Sequence, residues 1–405
     1  MLSIFWISLI LLFYGYIGYP LLLWVITRLY SRLVRKARLE AGVSVVIAVW
    51  NEADVIEGKL NNLVSLDYPT GDCEILIGSD GSADQTNEIV ERFVRNYRKT
   101  APEHKALPAI RFFPFTERRG KMAVLNDLLE AAQQDIVVFT DARQIFAPDA
   151  IRQLVDNFSD PAVGCVSGEL TFRTKDGATA RGINLYWTYE KFMRRLESAI
   201  HSMLGATGAI YAIRRNLFTP LPPNAVLDDM ITPLRIIARG YRAVFDGSAK
   251  AFDEVADDPK EESRRKGRTL YGNYQIFTMM PQVFNPFTSP IALQMFSHKL
   301  LRVLAPLLLV AVFVSNIYLA SESFYAALLI LQTIFYALAL TGALTRTKTS
   351  GPGRLLARIC YIPYVFCLLN FSALAGLYKF LSSRQSVLWD KARGDKRGAQ
   401  RDRGA

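Results

Sequence analysis

From Met1 to Thr27 the chain carries no charged side chain, and a run of that length leaves few folding options. About 20 apolar residues are what a helix needs to cross the hydrocarbon core of a bilayer. The run is long for a signal-peptide core and no small-residue cleavage site ends it, so it reads as a spanning anchor. Arg28, Arg32, Arg35, Lys36 and Arg38 follow at once. Basic residues in that position place the next segment on the cytoplasmic side. Further uncharged runs lie at Val303–Ser321, Ser323–Thr345 and Ile359–Tyr378. Three spans after a cytoplasmic segment carry the C-terminus outside. The basic residues of the tail (Arg384, Lys391, Arg393, Lys396, Arg397, Arg401, Arg403) and of the Arg346–Arg358 loop favour the inside. The two signals oppose each other.

The net charge of +11 on 405 residues belongs mostly to these flanks. Its basic clusters border apolar spans and form no single stripe, which argues against a nucleic-acid-binding surface. The four cysteines contain no C-x-x-C pair, and there are three histidines, so a zinc site, a disulfide framework and histidine-based catalysis are poor readings. A transporter is disfavoured as well, because the uncharged runs carry none of the ionisable sites such spans use.

Between the first span and Pro281, short apolar runs alternate with helical stretches. "VSVVIAV" (Val43–Val49) leads to Ala53–Ser65. "CEILIGS" (Cys73–Ser79) leads to "SADQTNEIVERFVRNY", where Ser82 and Gln85 have capping-box spacing. "AIRFF" (Ala109–Phe113) precedes "GKMAVLNDLLEAA", and "DIVVFT" precedes "APDAIRQLVDNF". Four such repeats predict a parallel sheet with helices on both faces. Ligands of these sheets bind beyond the carboxyl ends of the strands, where Asn51, Glu52, Asp80, Gly81 and Asp141 stand. No G-x-G-x-x-G follows the first strand and no G-x-x-x-x-G-K-[ST] occurs, which weakens dinucleotide and P-loop readings. Further on, Gly205–Arg215 reads as a turn into a short strand, and "LDDMITPLRI" opens a helix on Asp228 and Asp229. "PFTSPIALQMFSHKLLR" suggests an amphipathic helix at the membrane surface.

Five motifs in this order, "AVWNEADVI", "GSDGSADQT", "RRGKMAVLN", "FTDAR" and "LDDMITPLRI", resemble those of the membrane-bound family 2 glycosyltransferases. That family includes cellulose, chitin-oligosaccharide and hyaluronan synthases. The resemblance covers roughly Val43–Arg302. It implies an α/β GT-A fold (a Rossmann-like nucleotide-diphospho-sugar transferase) with α-helical transmembrane segments. By the same resemblance Asn51, Glu52, Asp80, Lys121 and Arg268 hold the nucleotide sugar. Asp141 belongs to a metal-binding D-x-D, with Mg²⁺ or Mn²⁺ as the cofactor, and Asp229 is the catalytic base.

Each of these residues also has a plainer reading. Asn51 suits a helix N-cap, Glu52 a helix start, Asp80 a turn and Lys121 a solvated surface. Asp228 and Asp229 suit a capping pair at a helix start. Two departures stand out. Arg143 occupies the position of the second D-x-D carboxylate, so either one carboxylate holds the metal with donor phosphates and water, or Arg143 neutralises the diphosphate itself. The family's Q-x-x-R-W reads Arg265-Lys266-Gly267-Arg268-Thr269, without the glutamine and tryptophan. Trp187 and Tyr189 are candidate replacements for the stacking platform. Gly208, Asp228, Arg143 and Arg265 are candidate diphosphate or acceptor contacts.

The plan so expected is an anchor with a basic flank over 1–41, a GT-A domain over 42–285 and an amphipathic interface helix over 286–301. Transmembrane segments over 302–381 and a basic, disordered tail over 382–405 complete it. Function follows as inverting transfer from a nucleotide-diphospho sugar, UDP-linked, on the cytoplasmic face of the inner (plasma) membrane. The acceptor is a glycan or a lipid-linked sugar, in polysaccharide synthesis and alongside partner subunits of an export system. Single-sugar transfer to a polyprenyl-phosphate or glycolipid is the nearer rival. A catalytically silent subunit of a synthase complex is the remoter one.

Overall fold

The computed structural model describes residues 1–69, 72–99, 107–173, 178–254, 259–345 and 354–382. In chain order its helices are α1 (Leu2–Phe13), α2 (Tyr19–Leu29), α3 (Ile56–Val64), α4 (Thr86–Lys99), α5 (Lys121–Ala131) and α6 (Ala150–Val155). Then come α7 (Ala178–Ile200), α8 (Asp228–Ala238), α9 (Pro259–Met279), α10 (Ala292–Gln294), α11 (Leu301–Leu319), α12 (Ser323–Thr345) and α13 (Arg354–Leu381). The strands are β1 (Val43–Val49), β2 (Cys73–Asp80), β3 (Ala109–Phe115), β4 (Ile136–Phe139), β5 (Ile145–Phe146), β6 (Val163–Arg173), β7 (Tyr211–Arg214) and β8 (Arg242–Glu254). The described residues divide into a sheet unit (within Val34–Arg173 and Gly205–Arg265) and a helical unit (within Met1–Leu33, Thr174–Leu204 and Lys266 onward).

In the sheet unit the strand order is β3-β2-β1-β4-β7-β6-β8-β5. Strands β1 and β2 are buried along their whole length, as strands covered on both faces must be. β2 carries two buried carboxylates, Glu74 and Asp80. Glu74 accepts hydrogen bonds from Ser44 Oγ (2.6 Å) and Gln133 N (2.7 Å) and pairs with Arg111 (3.3 Å). The strand–helix repeats predict a parallel sheet, and β3-β2-β1-β4 are parallel throughout. Beyond β4 the sheet is mixed. β7 runs antiparallel to both β4 and β6, β8 runs parallel to β6, and β5 closes the edge antiparallel. Crossover helices enforce parallel neighbours, and that strand–helix pattern ends at β4.

The capping box at Ser82 and Gln85 is absent. The helix starts at Thr86, and Asp84 accepts the Thr86 N–H at 3.0 Å. Ser82 is drawn instead to the first strand's loop, where its hydroxyl accepts from Asn51 N at 3.1 Å. A local carboxylate two residues before the helix outcompetes the more distant serine.

Among the described residues, four helical stretches are long and apolar enough to cross a membrane: Leu2–Leu29, Ala292–Leu319, Ser323–Leu344 and Ile359–Leu381. Residues 292–300, within the segment expected as an interface helix, run on into α11 without a break, through a π-helical turn at Met295–Leu300. A second π-helical turn, Tyr14–Gly18, joins α1 to α2, and Tyr14 Oη lies 2.9 Å from Ser297 Oγ.

Inside the helical unit stands a buried ionic group. Glu197 accepts from Tyr19 Oη (3.1 Å) and sits 2.7 Å from His298 Nδ1. His298 Nε2 lies 3.4 Å from Glu190, which also pairs with Arg302. Burial alone would raise the Glu190 carboxyl, but Arg302, His298 and Lys299 hold it well below the usual range. The basic tail lies outside the described residues from 383 onward.

Candidate active site

The first side of the site is made by the loops after β1 and β2. Asn51 adopts a left-handed backbone (φ 53°), which asparagine tolerates better than most residues. Its Oδ1 accepts from Ala83 N (2.8 Å) and Asp84 N (3.4 Å). It is therefore not the cap of α3, whose N-cap is Val55; it ties two strand ends together. Glu52 N donates to Thr86 Oγ1 at 2.9 Å, and the Glu52 carbonyl accepts from Val55 and Ile56. Asp80 is fully buried. Its carboxylate accepts from Arg119 N (2.7 Å) and Gly120 N (2.9 Å). Gly81 (φ 63°) and Gly120 (φ 94°) supply the left-handed turns that let these backbones converge. Arg118 stacks 3.4 Å over the Trp50 ring.

The second side is electrostatic. Antiparallel pairing sets Phe139 opposite Tyr211, so the residues after β4 and before β7 emerge at one end of the sheet. Asp141 and Gly208 meet there. Helix α5 begins on Lys121 and α8 begins on Asp228 and Asp229, where the helix dipole favours carboxylates. Lys121 Nζ lies 3.1 Å from Asp141 Oδ1 and 3.1 Å from Asp228 Oδ1. Burial alone would depress this amine, yet Asp141, Asp228 and Asp229 together push it above its ordinary value. The Asp141 carboxyl, which burial would raise, is held below the usual range by Lys121, Arg143 and Lys59. Its side chain is 38 % exposed, against 6 % for Asp228.

The two aspartates of α8 do different things. Asp228 points into the core and accepts from Tyr211 Oη at 3.1 Å, while Tyr211 stacks on Phe139 at 4.2 Å. Asp229 accepts from Gly208 N at 2.9 Å. A Cβ on Gly208 would lie 3.4 Å from Asp229 Oδ2 and 3.8 Å from Asp141 Oδ2, so both carboxylates face that glycine.

The structure thus brings together Asn51, Glu52 and Asp80 on one side, and Lys121, Asp141, Asp228, Asp229 and Gly208 on the other. Arg143 acts on Asp141 through its charge. Arg265 and Arg268 lie on α9. Arg268 belongs to the helical unit, and the Arg265 side chain is outside the described residues. Tyr189 donates to the Tyr16 carbonyl (3.3 Å) under the Arg302 guanidinium (4.8 Å), so it is engaged in helix packing. Trp187 lies on the same helix, α7.

Among the described residues no group of three His, Cys, Asp or Glu side chains is arranged to hold a metal ion. Asp141 fits a hard divalent cation only as a single protein carboxylate, the remaining positions going to phosphate and water.

Sequence reasoning missed Lys59, which is fully buried beneath Asp141's strand end and donates to Thr140 Oγ1 and Gln144 O. The signal was present: in "IEGKLNNLV" Lys59 falls on the face of Ile56 and Leu63, where a helix buries apolar side chains.

Two family profiles match the chain: Glycosyl transferase family 2 over residues 44–219 and Glycosyl transferase family group 2 over residues 136–341. The poly-beta-1,6-N-acetyl-D-glucosamine synthase of Staphylococcus aureus (strain MSSA476) is 26 % identical over 277 residues, 62 % of each chain. The chain therefore spans about 62 % of the length of that curated relative. The Staphylococcus epidermidis synthase of the same name is 30 % identical over 135 residues, 33 % of this chain and 30 % of its own. Among solved structures, the mannosyltransferase PcManGT from Pyrobaculum calidifontis, in complex with GDP-Man and Mn²⁺, superposes with a TM-score of 0.71 at 23 % identity. It covers 94 % of this chain and 100 % of its own, a likeness of fold. With the group 2 profile spanning half of the sequence and the strand ends furnished as described, the chain belongs to the family 2 glycosyltransferases.

Proposed function

We propose that the chain is an inverting glycosyltransferase that takes a sugar from a nucleotide-diphospho donor. It would act at the cytoplasmic face of the inner membrane, in synthesis of a β-linked polysaccharide or lipid-linked glycan. The supporting observation is Lys121 held at 3.1 Å by both Asp141 and Asp228, with Asp229 beside them at Gly208. This charged cluster stands at the strand ends where α/β sheets bind ligands. The domain plan drawn from the sequence is part of this reading.

Asp229 accepts the proton of the acceptor hydroxyl. The freed oxygen attacks the anomeric carbon as the bond to the diphosphate oxygen breaks, inverting that centre, and the nucleoside diphosphate leaves with the bonding pair. General-base help of this kind contributes about 10²–10⁴-fold. The Gly208 N–H fixes one oxygen of Asp229. Lys121 and Arg143 supply positive charge toward the departing diphosphate. Asn51, Glu52 and Asp80 shape the nucleotide side. A divalent cation, when bound, would add charge neutralisation at the diphosphate, with Asp141 as its protein ligand.

The names of the staphylococcal relatives make UDP-N-acetylglucosamine the first donor to try, and the Pyrobaculum neighbour makes GDP-mannose the second. Purified protein in lipid is incubated with each labelled donor and the products are weighed by mass spectrometry. A ladder supports polymer synthesis; a single added sugar supports the lipid-acceptor reading, which the Arg268-Thr269 sequence in place of R-W favours. Turnover that does not depend on Asp229 with any donor would sink the catalytic assignment. Activity that survives chelation but is lost in Arg143→Ala would replace Asp141-bound metal by Arg143.

A further inference from the structure

Resting on that reading of the site, we propose that Lys59 is a positioning residue. It ties the loop carrying Asp141 and Arg143 to the turn that holds Asp229. The geometry is a chain of contacts within the sheet unit. Lys59, on α3, has no exposed surface. Its Nζ donates to Thr140 Oγ1 (2.8 Å) and to the Gln144 carbonyl (2.6 Å), the two ends of the segment Thr140-Asp141-Ala142-Arg143-Gln144. The Phe146 ring lies 4.1 Å below the amine. Thr140 Oγ1 in turn donates to the Ala209 carbonyl at 3.1 Å. The adjacent Gly208 N–H holds Asp229 Oδ2 at 2.9 Å. One buried amine therefore spans both ends of the Asp141 loop and reaches Asp229 through a threonine and one peptide unit.

A lysine with only a packing role has no reason to be there. Burying an amine is costly unless its donors are met, and an apolar side chain on that face of α3 would pack without the penalty. What an apolar residue cannot do is fix a five-residue loop from beneath by two hydrogen bonds. Groups that orient a metal-ligating carboxylate from behind typically govern metal affinity or activity by about 10–100-fold.

The test uses the full chain in lipid and two variants, Lys59→Met and Thr140→Val, the second keeping size while removing the hydroxyl relay. Hydrogen–deuterium exchange without ligand is read over residues 140–146 and 208–210, together with Mn²⁺ binding in the presence of UDP by electron paramagnetic resonance. Faster exchange confined to those segments in both variants, with Mn²⁺ binding about 10-fold or more weaker and UDP binding by itself unchanged, is the expected result. Unchanged exchange in Thr140→Val overturns the positioning role, whether or not Lys59→Met folds. If the wild type binds no Mn²⁺ with UDP, the metal assignment made above falls. The exchange measurement then decides on Lys59 alone.

Discussion

Lys121 stands among three carboxylates, Asp141, Asp228 and Asp229. In the helical unit Glu190 and Glu197 face His298 and Arg302. Both groups are buried ion clusters, and their differences separate a site from a staple. The first stands at strand ends and keeps Asp141 38 % exposed. The second is closed: its Glu190 and His298 side chains are 9 % and 3 % exposed. A half-open cluster leaves room for a ligand. A closed one holds helices together, here α2, α7 and the π-helical turn before α11. Perturbed carboxylates occur in both, so a shifted pKa alone does not identify the site.

This contrast can be broken by substitution. The largest effect is expected for Asp229→Asn: turnover falls by about 10²–10⁴-fold while the melting temperature in detergent barely moves. A comparable loss of stability with the loss of activity would move Asp229 into the second class. Arg302→Met should do the reverse. Removing one partner of a buried pair costs about 3–5 kcal/mol, read as a lower unfolding midpoint, and a companion Glu190→Gln should restore part of it. No recovery in the double variant would mean that Arg302 is held for another reason.

A pH series sharpens the comparison further. Burial pushes the Lys59 amine down to about 7, Asp141 partly opposing. An unfolded lysine titrates near 10.4, so between those values the unfolded chain binds more protons than the folded one. Stability attributable to Lys59 must then rise with pH from about 7 to about 10. The slope is at most about 1.4 kcal/mol per pH unit, and Lys59→Met should abolish that part of it. A wild-type and variant pair with parallel profiles would place the amine in a wetter environment. The Lys121–Asp141 pair gives no slope there: a depressed carboxyl loses its contribution only as acid is approached, and a raised amine only above the ordinary lysine range. The smallest effect belongs to an exposed pair. Arg92 and Glu57 lie 3.9 Å apart with more than half of each side chain in water, and Glu57→Gln should stay within about 0.5 kcal/mol.

Much of the sheet unit was legible in the sequence because its signals are local. The buried run of β1, the turn at Asp80 and Gly81 and the paired aspartates opening α8 each follow from a few neighbouring residues. The capping box failed for the same reason: Ser82 had a competitor, the loop after β1, that lies 31 residues away in the chain.

The sequence by itself determined four apolar runs long enough to cross a membrane and a family signature in five ordered motifs. It also located carboxylates at strand ends and the replacement of a second D-x-D carboxylate by Arg143. Only the tertiary structure decided which aspartate of the pair faces Gly208 and which turns inward to Tyr211. It alone set Lys59 beneath the Asp141 loop and made the sheet mixed beyond β4. The physical reason is range. Periodicity and turn chemistry act over a few residues, whereas the fate of a buried charge depends on partners that the fold brings from 80 or more positions away, as it does for Lys59 and Thr140.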